Sequence, residues 1–154
     1  MIEVEITREQ IKRAKSLYDF KVLANSIMQG KSNKYGAIGE ILAYDYFCKT
    51  KEVVFESTFD YDMIVDGFTI DIKTKRTTVR PEPHFNCSIS KHSTHQRCDY
   101  LFFVRVMEDM SKAWLLGQIS RYDFYKKATF NAKGESDGNW TFKADCYNLQ
   151  IKDL

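Results

Sequence analysis

The dipeptide Asp66-Gly67 lies between two β-prone runs, Tyr61–Val65 and Phe68–Thr74, and constrains this chain more than any other feature. Asp-Gly between such runs is the strongest short-range signal for a two-residue type I′ hairpin, because both turn positions need positive φ. With those two residues as the turn, Val65 faces Phe68, Ile64 faces Thr69, Met63 faces Ile70 and Asp62 faces Asp71. One step further, Asp60 is expected opposite Lys73. Side chains alternate along a strand, so Asp62, Asp71 and Lys73 share one face. Tyr61, Met63, Val65, Phe68, Ile70 and Ile72 share the other, which is apolar and must be covered by another layer.

The rest of the chain supplies that layer. Apolar residues at Ile11, Ala14, Leu17, Tyr18, Val22 and Leu23 recur at helical spacing and predict a helix from Thr7, as N-cap, to Met28, with Gly30 at its stop. Ile38, Ile41, Leu42, Tyr44 and Phe47 predict a second, Asn33–Lys49. Strands are expected at Val53–Glu56, Tyr61–Val65, Phe68–Thr74, Phe85–Ser90, Tyr100–Val106 and Lys112–Ile119. Ser120 should cap a short helix ending at Lys127, and Trp140–Ile151 reads as one or two closing strands. Helices, a hairpin-based sheet, a helix and more strands make an α/β chain of the α+β kind, a mixed sheet flanked by helices. At 154 residues, without repeat or linker, residues 1–154 read as one domain.

The composition, 44% hydrophobic and 29% charged, is that of a soluble globular chain. No signal peptide or membrane span is evident, so a cytoplasmic location with reduced Cys48, Cys87, Cys98 and Cys146 is expected. Net charge is only +2, but cations gather in two segments, Arg8–Lys34 and Lys73–Arg97. Together they predict one cationic face for a polyanion.

Two aspartates directly opposite each other in a sheet repel. A fold that keeps them implies a cation between them, and hard divalent ions such as Mg²⁺ take carboxylates together with substrate phosphates. Lys73 would then stand beside that metal, near a scissile phosphate or an attacking water. An exposed strand face is the bland alternative. In the second helix Glu40 shares a stripe with Gly36, Ala37, Tyr44 and Phe47. The glycines Gly36 and Gly39 bracket it and would allow close approach to the sheet. Glu40 reads either as a further metal ligand, or as an edge acid reaching solvent.

This order, GAIGEILAYDYF, then Asp62, then Asp71-Ile72-Lys73, resembles the PD-(D/E)XK nuclease superfamily of restriction endonucleases, Holliday junction resolvases and phage-type exonucleases. The resemblance covers residues 33–106, the α-β-β-β-α-β core of that group. It implies a restriction-endonuclease-like fold and Mg²⁺-dependent hydrolysis of DNA phosphodiesters in a phage or prokaryotic host cell, with Mn²⁺ expected to substitute. It also implies Glu40, Asp62, Asp71 and Lys73 as catalytic residues, and Asp62, Asp71, Glu40 and the Ile72 backbone carbonyl as metal ligands. Tyr61 stands where the family has proline before its first acid. An RNA substrate, a homodimer, and a silent nucleic-acid-binding or inhibitor module on the same scaffold are alternatives.

Lys75, Arg76, Lys91, His95, Gln96 and Arg97 are the candidate nucleic-acid contacts. Cys87, His92, His95 and Cys98 offer four potential zinc ligands, but their spacing matches no standard finger. No nucleophile elbow, Walker A loop or dinucleotide-binding glycine pattern is present.

Overall fold

In the computed structural model the described residues are 1–25, 34–56, 58–138 and 140–154; Met28, Gly30 and Asn33 lie outside them. The first helix, α1 (Arg8–Asn25), follows a short strand, β1 (Ile2–Glu5), that the sequence pattern did not announce. Thr7 starts the helix with a capping box. The Gln10 backbone N–H donates to Thr7 Oγ1 at 3.2 Å, and the Thr7 N–H donates to Gln10 Oε1 at 3.0 Å. Helix α2 (Lys34–Phe47) is tied to α1 through Asp45, which accepts hydrogen bonds from Gln10 and Arg13, each at 2.8 Å.

The sheet strands are β2 (Val53–Phe55), β3 (Met63–Val65), β4 (Phe68–Thr77), β6 (Tyr100–Met107) and β7 (Lys112–Ser120), with β5 (Asn86–Ser90) in the crossover between β4 and β6. One six-stranded sheet has the order β1-β7-β6-β4-β3-β2. Within it β4 and β6 run parallel, whereas the other neighbours are antiparallel. Beyond β7, Ser120 caps α3 (Arg121–Lys127), accepting from the Asp123 N–H at 3.0 Å. The strands β8 (Thr129–Asn131) and β11 (Cys146–Gln150) join β5 in a second sheet, ordered β5-β11-β8, and β9 (Ser136–Asp137) pairs with β10 (Trp140–Thr141). A mixed sheet with helices is therefore present.

Two departures concern the resemblance. Its core order requires an α-helix between the strands equivalent to β4 and β6. Here β5 and a 3-10 turn over Lys91–His95 occupy that crossover. Further, α1 and α2 pack with Met63, Val65, Ile70, Ile72, Phe102 and Val104 on one face of the large sheet. The opposite face carries Leu101, Phe103, Trp114 and Leu116 and is covered by β5, β11 and α3. The described part of the first cationic segment, on α1, lies on the sheet face opposite the one that carries Lys73 and Lys75.

Gly39 does allow a close approach. A Cβ there would fall 2.9 Å from Thr74 Cβ, whereas nothing lies within 4 Å of one at Gly36. Only Gly39 serves the contact expected of both. Gly39→Ala should therefore cost about 1–3 kcal/mol from overpacking, and Gly36→Ala should gain about 0.5–1 kcal/mol from helix propensity. Thermal unfolding of both variants checks the opposite signs.

Candidate active site

The hairpin register is as the turn requires. Met63 pairs with Ile70, Ile64 with Thr69 and Val65 with Phe68, and Asp66 and Gly67 take φ of 49° and 84°. Lys51 and the Glu52 N–H both bind the Asp66 carboxylate, holding the turn. Of the expected apolar face, Met63, Val65, Ile70 and Ile72 are buried. Phe68 is 52% exposed, because it lies at the hairpin tip, beyond the layer formed by α2.

The ladder then stops one residue short of Asp62, and this shapes the site. The Asp62 N–H donates to the Ile70 carbonyl at 3.0 Å. Its side chain replaces the next rung, Oδ2 accepting from the Ile72 N–H at 2.8 Å. Asp62 is thereby fixed against β4 next to Asp71. In a strand one residue's N–H and C=O leave on the same side, so the Ile72 carbonyl also points to the edge where β3 has ended. The expected facing of Asp60 and Lys73 does not occur. A turn closed by Thr58, which accepts from the Asp60 and Tyr61 N–H groups, swings Asp60 out of the strand. Asp60 Oδ1 instead accepts from the Arg97 N–H at 2.9 Å.

Asp71 is 4% exposed, and Lys73 Nζ lies 2.6 Å from its Oδ2. That contact compensates charge without being a well-aligned hydrogen bond, and Oδ2 has no hydrogen-bond donor among the described residues. Burial pushes the Asp71 carboxyl up to about 6; Lys73 opposes the shift and the Asp62 charge adds to it. Lys73 also donates to Gln96 Oε1 at 2.7 Å, and Gln96 Nε2 donates to the Phe59 carbonyl at 2.8 Å. The segment after the 3-10 turn thus clamps the lysine to the loop before β3. Gln96, read from the sequence as a nucleic-acid contact, is placed as the partner that orients Lys73.

Of the other sequence-derived residues, Lys75 and Arg76 line a cavity beyond Lys73. Arg76 pairs with Glu108 at 2.5 Å. Lys91 is 3.9 Å from Asp145, and the His95 and Arg97 side chains are exposed. Glu40 is buried at 6% exposure on α2. That helix covers the face of the sheet formed by Ile70, Ile72 and Thr74. Among the described residues no three of His, Cys, Asp or Glu gather into a metal-holding group. The candidate zinc set Cys87, His92, His95 and Cys98 is accordingly not assembled. Burial pushes the Cys87 and Cys98 thiols up to about 12, which keeps them protonated.

Two residues escaped the sequence reading. Arg105 is a lone cation in the apolar run of β6 and is 7% exposed, a signal that was available. Arg121 donates to the Thr94 carbonyl at 2.7 Å and stacks over Tyr125, bracing the crossover from α3. Nothing local in the sequence marks that contact.

No protein-family model and no curated protein matches this chain. No helix among the described residues is long and apolar enough to cross a membrane.

Proposed function

We propose that this chain is a metal-dependent nuclease that hydrolyses DNA phosphodiesters at Asp62, Asp71 and Lys73, on a variant of the restriction-endonuclease-like fold. One observation carries the reading: an aspartate pair at the end of a hairpin ladder, Asp71 buried and Asp62 half-buried, with a lysine held beside it. Like charges on neighbouring strand positions are costly in a sheet, and the Lys73 ammonium at 2.6 Å from Asp71 compensates only one charge of the two carboxylates, so a further cation fits the pair better than a purely structural role.

The donor set suits Mg²⁺. It is all oxygen, two carboxylates and the Ile72 carbonyl, and leaves remaining positions to water and substrate phosphate. Mg²⁺ bound there would supply Lewis-acid activation of water and charge neutralisation at the phosphoryl group. Asp62 is oriented for this by the Ile72 N–H, and Lys73 by Gln96. Lys73 carries positive charge toward the phosphate and can stabilise the charge that develops on its oxygens. Mn²⁺ should replace Mg²⁺, since it shares the preference for oxygen ligands. Glu40, buried on α2, is a further candidate metal ligand or the residue that would orient a metal-bound water.

The parallel pairing of β4 and β6, with α2 behind the hairpin, supports kinship with the PD-(D/E)XK group. The helix missing from the crossover and the Tyr61 before Asp62 set the chain apart within such a kinship.

A panel of single-stranded, duplex, nicked and branched DNA, with an RNA strand alongside, tests the reading. Cleavage in Mg²⁺ that stops on chelation is the expected result. No cleavage of any member, with binding retained, would replace it by a silent nucleic-acid-binding module.

A further inference from the structure

The face of β4 that carries Asp71 and Lys73 continues with Lys75, since alternate residues share a face. Parallel pairing sets Lys75 beside Arg105 of β6. Both line a cavity of about 1000 Å³ that Asn86, Ser88 and Ser90 of β5 also line. Lys75 is open to this space, whereas Arg105 forms its floor, donating to the Asn86 carbonyl at 2.8 Å and lying 5.7 Å from the Phe85 ring centre. No aspartate or glutamate lines the cavity among the described residues. A smaller recess, about 80 Å³, is lined by Lys73, Lys75 and Arg105 together. Surrounding protein, and then the neighbouring Arg105 charge, hold the Lys75 ammonium below its ordinary pKa. Two cations side by side, one of them buried, without a facing carboxylate, are unfavourable in the empty protein and favourable once an anion enters.

We infer that Lys75 and Arg105 form a phosphate subsite, which takes a non-scissile phosphate of the nucleic-acid strand whose scissile phosphate lies at Asp71 and Lys73. This rests on the nuclease reading and adds to it a direction: the strand runs along β4, from the hairpin end toward Thr77. Ser88 and Ser90 offer further hydrogen bonds to phosphate oxygens. Contacts of this kind fix register without reading sequence.

Binding of a short fluorescent single-stranded deoxyoligonucleotide, measured by anisotropy in EDTA, separates the subsite from catalysis. Lys75→Met should weaken binding about 10-fold, the effect of losing one charged hydrogen bond. It should also reduce the slope of log K against log salt by about 0.7, the value for one phosphate on a single strand. Arg105→Lys should weaken binding less, because it keeps the charge and loses the fork. The melting temperature of Lys75→Met should hold or rise, since it removes a repulsion, and this excludes misfolding as the cause. Asp71→Asn should bind at least as well as wild type. Wild-type affinity and salt slope in both Lys75→Met and Arg105→Lys would overturn the inference. So would equal protection of the site by millimolar inorganic phosphate, which would make it a free-phosphate site instead. A wild type that binds the strand yet cleaves no DNA would sink the nuclease reading and leave the subsite standing.

Discussion

Asp71→Asn is expected to make the metal-free protein more stable by about 2–3 kcal/mol above pH 7, and to change nothing below about pH 4. The Asp71 carboxyl sits at about 6 in the folded chain, against about 4 for an unfolded aspartate. The folded state therefore holds this proton more tightly than the unfolded state. Between those two values stability falls as pH rises, because the native chain has to give up a proton that it binds better. Each unit of difference corresponds to about 1.4 kcal/mol, and the attraction of Lys73 is already contained in the shift. Asparagine carries no such penalty, so its advantage appears only where wild-type Asp71 is ionised. Urea unfolding of both proteins in EDTA at pH 4 and pH 8 reads the difference. Mg²⁺ should erase part of it by stabilising wild type alone, through binding the native state. Metal affinity should in turn weaken about tenfold for each pH unit below about 6, as protons compete for Asp71.

Lys73→Ala is expected to lower the cleavage rate by about 10²–10⁴-fold, the range for removing a positioned acid–base or charge-stabilising group. The loss should fall on kcat more than on KM, since Lys73 acts on charge that develops during the reaction. Removal of the ammonium also leaves Asp71 without its compensating cation, so the apparent pKa governing metal binding should move further up. Gln96→Ala should give a smaller loss of the same kind, because Lys73 stays present but unclamped. Single-turnover rates across pH 5–9 distinguish these outcomes from a general loss of fold, which would lower all rates equally.

Much of the hairpin could be read from residues alone because the physics there is local. A type I′ turn has one register, and alternation then assigns each side chain to a face. The same reasoning overreached at Asp60, because Thr58 closes a turn that competes with continuing the ladder, and hydroxyl–backbone bonds of that kind are hard to weigh from sequence. Glu40 lies on the buried stripe of α2 that its spacing indicates, but no spacing rule says which face of the sheet a helix covers. That depends on how β5 and α3 fill the other side, a long-range outcome. The crossover is the largest structural surprise. Phe85–Ser90 reads as a strand and Asn86–Ser90 is one, yet it belongs to the second sheet with β11, some sixty positions later in the chain. The hydrogen bond by which Lys73 holds Gln96 is visible only in three dimensions, since the two lie more than twenty positions apart in the chain. The buried Arg105 shows the reverse, a local signal that apolar neighbours concealed.

The most direct test pairs wild type with Asp71→Asn on one labelled DNA substrate, under single-turnover conditions in Mg²⁺. Wild type should cleave it, and the more stable Asp71→Asn should leave it intact while binding it undiminished. Equal cleavage by the two proteins would contradict the assignment of Asp62, Asp71 and Lys73 as a metal-dependent hydrolytic site.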